Sequence, residues 1–215
     1  MRVHFTQQLD ELNKLLIEMG ALTEEAIDNA IKALNDHDVD LAKKTIKGDG
    51  QINHYSRVIE SKCLDLVLQQ QPVASDFRFI SSALKMVYDI ERIGDMAADI
   101  SEIVVYISKK KYTVSNQIKQ MAAETKKMVH DSIDAYVNKD VEAARAVIAY
   151  DDIVDDLLLD IKKELTKEIK KETEGVSQVL DKLMIAKYFE RIGDHAVNIG
   201  EWVEYAVTGI YKGDY

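Results

Sequence analysis

The sequence predicts an all-α protein of two tandem three-helix bundles related by internal duplication. Three observations carry this. The pentapeptide Glu-Arg-Ile-Gly-Asp stands at residues 91–95 and again at 190–194. One proline and nine glycines in 215 residues leave few places where a helix must break. Apolar residues recur at helical spacing through long stretches.

An identical pentapeptide recurs by chance in a chain of this length with a probability on the order of a few per cent at most. Its surroundings recur as well. A shift of 102 residues lays Met19 on Met121, Ala21 on Ala123, Ile31 on Ile133, Ile46 on Ile148 and Asp49 on Asp151. After a three-residue deletion the shift is 99, placing Leu84 on Leu183, Glu91 on Glu190 and Asp95 on Asp194. The chain therefore divides into residues 1–109 and 110–215, each near the usual size of a compact domain.

In the first repeat, breaks fall near residues 35–38 and at Gln71-Pro72; in the second, near 138–140 and 173–175. Asp38 and Asp140 have the side chain that caps a helix start, and Pro72 ends the second helix and begins the third. Each repeat should be an up-down-up bundle of helices about 25 to 35 residues long. Helix two has a core stripe of Thr45, Ile52, Ser56, Ile59, Cys63 and Leu66; helix five repeats it as Val147, Val154, Leu158, Ile161 and Leu165. Helix three carries two lines. Met86, Ile90, Ile93, Ala97, Ile100 and Val104 form one, and Ile80, Leu84 and Val87 form another that runs on into Glu91, Asp95, Ala98 and Glu102. Helix six repeats the second as Val179, Leu183, Ala186, Glu190, Asp194, Val197 and Glu201. One line should serve the bundle core and the other a contact with the second bundle or another subunit, which makes a homodimer an expectation.

A formal charge of -10 and a pI near 5.0 argue against nucleic acid and favour cations or basic partners. Lys109-Lys110-Lys111 reads as a solvated linker. The lone Cys63 cannot form an intramolecular disulfide and sits mid-stripe. The opening residues lack the apolar core of a secretion signal, and no uncharged apolar run approaches the roughly 18 residues needed to cross a bilayer. A cytoplasmic location is expected, with membrane contact only peripheral, through partners.

Antiparallel neighbours bring residues equidistant from their turn to one height, at about 1.5 Å of rise per residue. Asp49 lies 23 residues before Pro72 and Asp95 lies 23 after; Asn53 and Glu91 lie 19 before and after. Counted from Thr173, Asp151 and Asp155 lie 22 and 18 before, and Glu190 and Asp194 lie 17 and 21 after. Two carboxylate clusters are predicted, and Asp49 and Asp151 lie on the apolar side of their helices, where an unpaired charge is expensive. Clustered oxygen donors suit Mg, Ca, Mn, Fe or Zn; the alternative is solvated acids neutralised by Arg92, Arg191 and lysines. Counting from the turn near Asp36 brings Glu24, Glu25 and Asp28 to the level of Asp49, where Lys126 and His130 stand in the second repeat. Gly94 and Gly193 cost helix propensity and imply close approach, with helix packing the first explanation.

The segments 40–53 (Asp-Leu-Ala-Lys-Lys-Thr-Ile-Lys-Gly-Asp-Gly-Gln-Ile-Asn), 71–76 (Gln-Pro-Val-Ala-Ser-Asp) and the two Glu-Arg-Ile-Gly-Asp helices resemble the PhoU phosphate signalling proteins, over nearly the whole chain. The resemblance implies two three-helix bundles with pseudo-twofold symmetry and metal clusters at Glu/Asp-x-x-x-Asp motifs, of divalent or trivalent ions. It also implies an adaptor that restrains phosphate uptake and phosphate-starvation gene expression. Its implied partners are the ATPase subunit of the phosphate ABC transporter and the histidine kinase of the phosphate regulon. Carried over by position, the metal residues are Asp49, Glu91 and Asp95 in the first bundle and Asp151, Asp155, Glu190 and Asp194 in the second. Asp99 and Asn198, one turn further on, stand at the edge. Asn53 breaks the acidic pattern, so the first site is expected to hold fewer or weaker metals. The rival is a carboxylate-bridged di-metal hydrolase or oxidase. Against it, no histidine has a glutamate three residues earlier, and neither a phosphate loop nor a nucleophile with its base is recognisable. The chain is thus expected not to be an enzyme. His195, next to Asp194, and His130, at the level of Asp151, are expected to be surface or packing residues, with metal ligation as the alternative.

Overall fold

The computed structural model describes residues 2–70, 72–108, 112–171 and 175–211. Gln71, Thr173 and the three-lysine run lie outside them. Among the described residues there are six helices: α1 (Arg2–Asp36), α2 (Val39–Gln70), α3 (Ala74–Ile107), α4 (Asn116–Asn138), α5 (Val141–Lys171) and α6 (Val176–Thr208). Helices α1 to α3 form one bundle and α4 to α6 the other.

The first turn of each bundle is built alike. His37 and Lys139, equivalent under the duplication, both take the left-handed conformation, at φ 57° and 56°. This turn returns a backbone bond from Asp38 N to Ala33 O and from Asp140 N to Ala135 O. The expected caps follow. Asp38 Oδ1 accepts from Asp40 N and Leu41 N at 3.0 and 2.9 Å, and Asp140 Oδ1 from Ala143 N at 3.0 Å. Pro72 sits two residues before Ala74, the first helical residue of α3, because Val73 is the extended N-cap. Ser115 caps α4 through Ile118 N.

The stripes predicted for α2 and α5 are buried throughout, Cys63 among them. Burial pushes the Cys63 thiol up to about 12, which keeps it protonated and unreactive. In α3 the first line is wholly buried, and so are Ile80 and Val87 of the second. α3 also packs on α6, and α1 on α4, and these two seams join the bundles.

The assignment of the second line needs correction. Glu91, which continues it, takes a hydrogen bond from Ser56 of α2, so this line faces a neighbour in its own bundle. The contact with α6 uses a third side of α3. There Asp89 Oδ1 accepts from His195 Nδ1 at 2.8 Å and from Asn198 Nδ2 at 3.1 Å. Tyr188 of α6 lies in turn beside Asp99 of α3; burial and this carboxylate raise its phenol above the ordinary pKa. Residues 89 and 99 are equivalent to 188 and 198, so the two contacts are related by the pseudo-twofold axis. Both apolar lines on α3 thus serve contacts within the chain.

Candidate metal centres

The α2–α3 hairpin brings Asp49, Asn53 and Ser56 against Glu91 and Asp95, as turn counting requires. The Asp49 carboxyl is raised above its ordinary pKa, chiefly by burial and then by Asp95, with Glu91 and Asp99 adding to it. Asn53 opposes this, donating from Nδ2 to Asp49 Oδ2 at 2.7 Å. Asp95 Oδ2 accepts from Arg92 Nη1 at 2.9 Å. Asp49 Oδ1 and Asn53 Oδ1 are buried without a hydrogen-bond partner.

The α5–α6 hairpin repeats the arrangement with more charge. Burial pushes the Asp151 carboxyl up to about 6, with Asp155, Asp194 and Glu190 contributing in that order. Asp194 is raised by burial and by Glu190. Glu190 is nearly buried, and Lys187, three residues earlier, bonds to its Oε1. Its Oε2 and Asp151 Oδ1 have no partner. The sequence difference behind this contrast is visible: Asn53 and Ser56, which neutralise the first group, are Asp155 and Leu158 in the second.

The two mid-helix glycines lie beside these groups. A Cβ on Gly94 would stand 2.9 Å from Ile52 Cδ1 and 3.5 Å from Asp49 Oδ1; one on Gly193 would stand 3.5 Å from Asp151 Oδ1. The nearest neighbours are side chains, so what approaches is a carboxylate with an isoleucine at Gly94 and a carboxylate with Val154 and Met128 at Gly193, not another backbone. Buried oxygens without donors, in groups whose members raise one another's pKa, fit a bound cation. As the side chains stand, no three of the described His, Cys, Asp or Glu residues converge on a metal position. Arg92, Lys187 and Asn53 hold part of the charge instead.

Other expected residues are placed differently. Glu24 and Asp28 do not complete the Asp49 group: they face α4, where His130 Nδ1 lies 3.1 Å from Glu24 Oε1 and Lys126 Nζ lies 2.6 Å from Asp28 Oδ2. His195 and Asn198 are held by Asp89 in the α3–α6 seam. Asp99 borders both the Asp49 group and the seam. A cavity of about 600 Å³ opens over the first cluster, lined by Asp49, Asp95 and Asp99 and, from the second bundle, by Tyr188, Arg191 and His195. Sequence reasoning missed Ser56, though it lies three residues from Asn53, and Asp89, an acid one position from the apolar line of α3.

A family model described as the PhoU domain matches residues 16–104 and 118–203. The phosphate-specific transport system accessory protein PhoU homolog of Clostridium acetobutylicum is 36% identical over 207 residues, covering 95% of this chain and 94% of that protein. The Escherichia coli phosphate-specific transport system accessory protein PhoU is 30% identical, covering 95% and 86%. The crystal structure of PhoU from Pseudomonas aeruginosa superposes with a TM-score of 0.91 at 33% identity, over 96% of this chain and 100% of that one.

Proposed function

The chain belongs to the PhoU family, and from that premise we propose that it is a metal-dependent negative regulator of phosphate uptake and of phosphate-starvation signalling. It is an accessory protein of a phosphate transport system, as its relatives are named. In this reading it works in the cytoplasm as a non-enzymatic adaptor between the ATPase subunit of the phosphate ABC transporter and a sensor histidine kinase. No described helix is long and apolar enough to cross a membrane, which fits a protein that reaches the membrane through partners. A homodimer belongs to the reading as well. It would use other apolar surface than the lines of α3 and α6, for example the exposed Leu64, Leu68 and Phe77.

The observation that carries the metal part is the paired set of donorless buried oxygens, Asp49 Oδ1 with Asn53 Oδ1 and Asp151 Oδ1 with Glu190 Oε2. Asp49, Glu91 and Asp95 would hold one cation group, with Asp99 at its edge; Asp151, Asp155, Glu190 and Asp194 would hold the other. A bound cation would supply the positive charge that lets these carboxylates ionise together. Asn198 has its amide on Asp89 and lies further from this role.

Elemental analysis and calorimetric titration of chelator-stripped, untagged protein with Mn, Fe, Zn, Mg and Ca test the metal part. Stoichiometric binding is expected, weakened at least tenfold by Glu190→Ala with Asp194→Ala; protein that takes up no ion from this series defeats it. Crosslinking and co-purification from cells test the adaptor part. Recovery of neither the transporter ATPase nor the kinase, at high or low phosphate, overturns it.

A further inference from the structure

A second cavity, of about 650 Å³, lies further along the α3–α6 seam, away from both carboxylate clusters. Its volume falls in the range of small-molecule sites and leaves room for a side chain together with its flanking backbone. Trp202 and Tyr211 form its aromatic wall, with ring centroids 5.3 Å apart, and Tyr205 packs edge-on against both, at 6.2 and 6.0 Å. Tyr88, half exposed, lines it as well. Asp89, only 5% exposed, reaches the cavity from α3, and both of its seam donors, from His195 and Asn198, meet the same oxygen, Oδ1. Glu60 and Glu201 add carboxylates to the lining and Lys85 adds one ammonium, so the formal balance of charged side chains is negative.

A buried acid beneath aromatic faces attracts a delocalised cation, because ring quadrupole and carboxylate act in the same direction in a partly desolvated space. A guanidinium suits this better than an ammonium, being planar, weakly hydrated and able to stack while it bonds to a carboxylate. The seam already contains one such contact: the Arg92 guanidinium lies 4.9 Å over the Tyr88 ring. We propose that the Trp202–Tyr211–Asp89 cavity binds the guanidinium of an arginine side chain presented by a partner polypeptide. The formal charge of -10 favours such a basic partner. This inference is independent of metal at either cluster.

Trp202 is the only tryptophan, so its fluorescence reports on this cavity alone. In metal-free full-length protein, N-acetylarginine amide is expected to give a saturable change in emission at least tenfold tighter than the isosteric, uncharged N-acetylcitrulline amide. Asp89→Asn should weaken that binding at least tenfold. Tyr211→Ala, beyond the end of α6 and exposed, should weaken it severalfold without affecting the fold. Free arginine should bind no better than the capped amide, since its carboxylate would meet Glu60 and Glu201; tighter binding of the free amino acid would overturn the polypeptide as source. Equal responses to arginine and citrulline amides, no saturable response, or full binding by Tyr211→Ala would each overturn the site.

Discussion

Glu24 of α1 pairs with His130 of α4 at 3.1 Å, and the residues equivalent to each under the duplication, Lys126 and Asp28, pair with one another at 2.6 Å. The seam between the bundles thus keeps the reciprocity of a twofold dimer interface, with the acids on one helix and the basic groups on the other. Lys126→Glu places like charges across it and should destabilise by about 0.5–1 kcal/mol in urea melts at low salt. Asp28→Lys in that background should recover most of the loss, and 0.5 M salt should shrink both effects. A double variant no more stable than Lys126→Glu would mean that the pair carries no coupling.

Stability of the metal-free protein should fall as pH rises through about 6. The Asp151 carboxyl, at about 6 in the fold, binds its proton more tightly than in the unfolded chain, where the ordinary value is 3.8. Its contribution is therefore fully present below the unfolded value and lost as pH rises through the folded one. His130 acts in the same direction, raised chiefly by its hydrogen bond to Glu24. Asp151→Asn should raise the melting temperature at pH 7.5 and flatten the profile between pH 4 and 7, with His130→Gln separating the remainder. An unchanged profile in Asp151→Asn would contradict this account.

Gly193 and Gly94 should respond differently to alanine. A Cβ at Gly193 meets only ordinary contacts, 3.5 to 3.7 Å away, so Gly193→Ala should gain helix propensity and stabilise by about 0.5–1 kcal/mol. At Gly94 the Ile52 Cδ1 at 2.9 Å must move first, which offsets the gain. Thermal melts of the two variants side by side check the order; destabilisation by Gly193→Ala would be the contrary result.

Ser56→Ala removes the donor to Glu91 and leaves a half-buried carboxylate short of one hydrogen bond. The expected cost is about 1–2 kcal/mol in metal-free protein. The change also makes the first cluster resemble the second, where Leu158 stands and Glu190 Oε2 has no partner. Its cation affinity, measured by titration, should rise, and a fall would show that Ser56 supports the site directly.

Much of the architecture was legible without coordinates. The apolar stripes of α2 and α5 name their buried residues position by position, and Asp38 and Asp140 announce the helix starts they cap. Counting from Pro72 and Thr173 found the partners of Asp49 and Asp151, because a short turn ties two antiparallel helices to a common origin. Ser56 escaped because a serine on an apolar stripe looks like a filler of the core. Glu24 and Asp28 were set at the correct height but not on the correct side, since they face α4 and not the Asp49 group.

By itself the sequence determined the helices, their caps, the duplication and the pairing within each hairpin, since all of these rest on periodicity and covalent distance along the chain. Only the tertiary structure decided how the bundles meet: α3 against α6 through Asp89, His195, Tyr188 and Asp99, and α1 against α4 through two reciprocal ion pairs. The physical reason is that no short turn joins these helices across the seam. Their register is set by the fit of whole faces, and neither helical period nor residue count measures that.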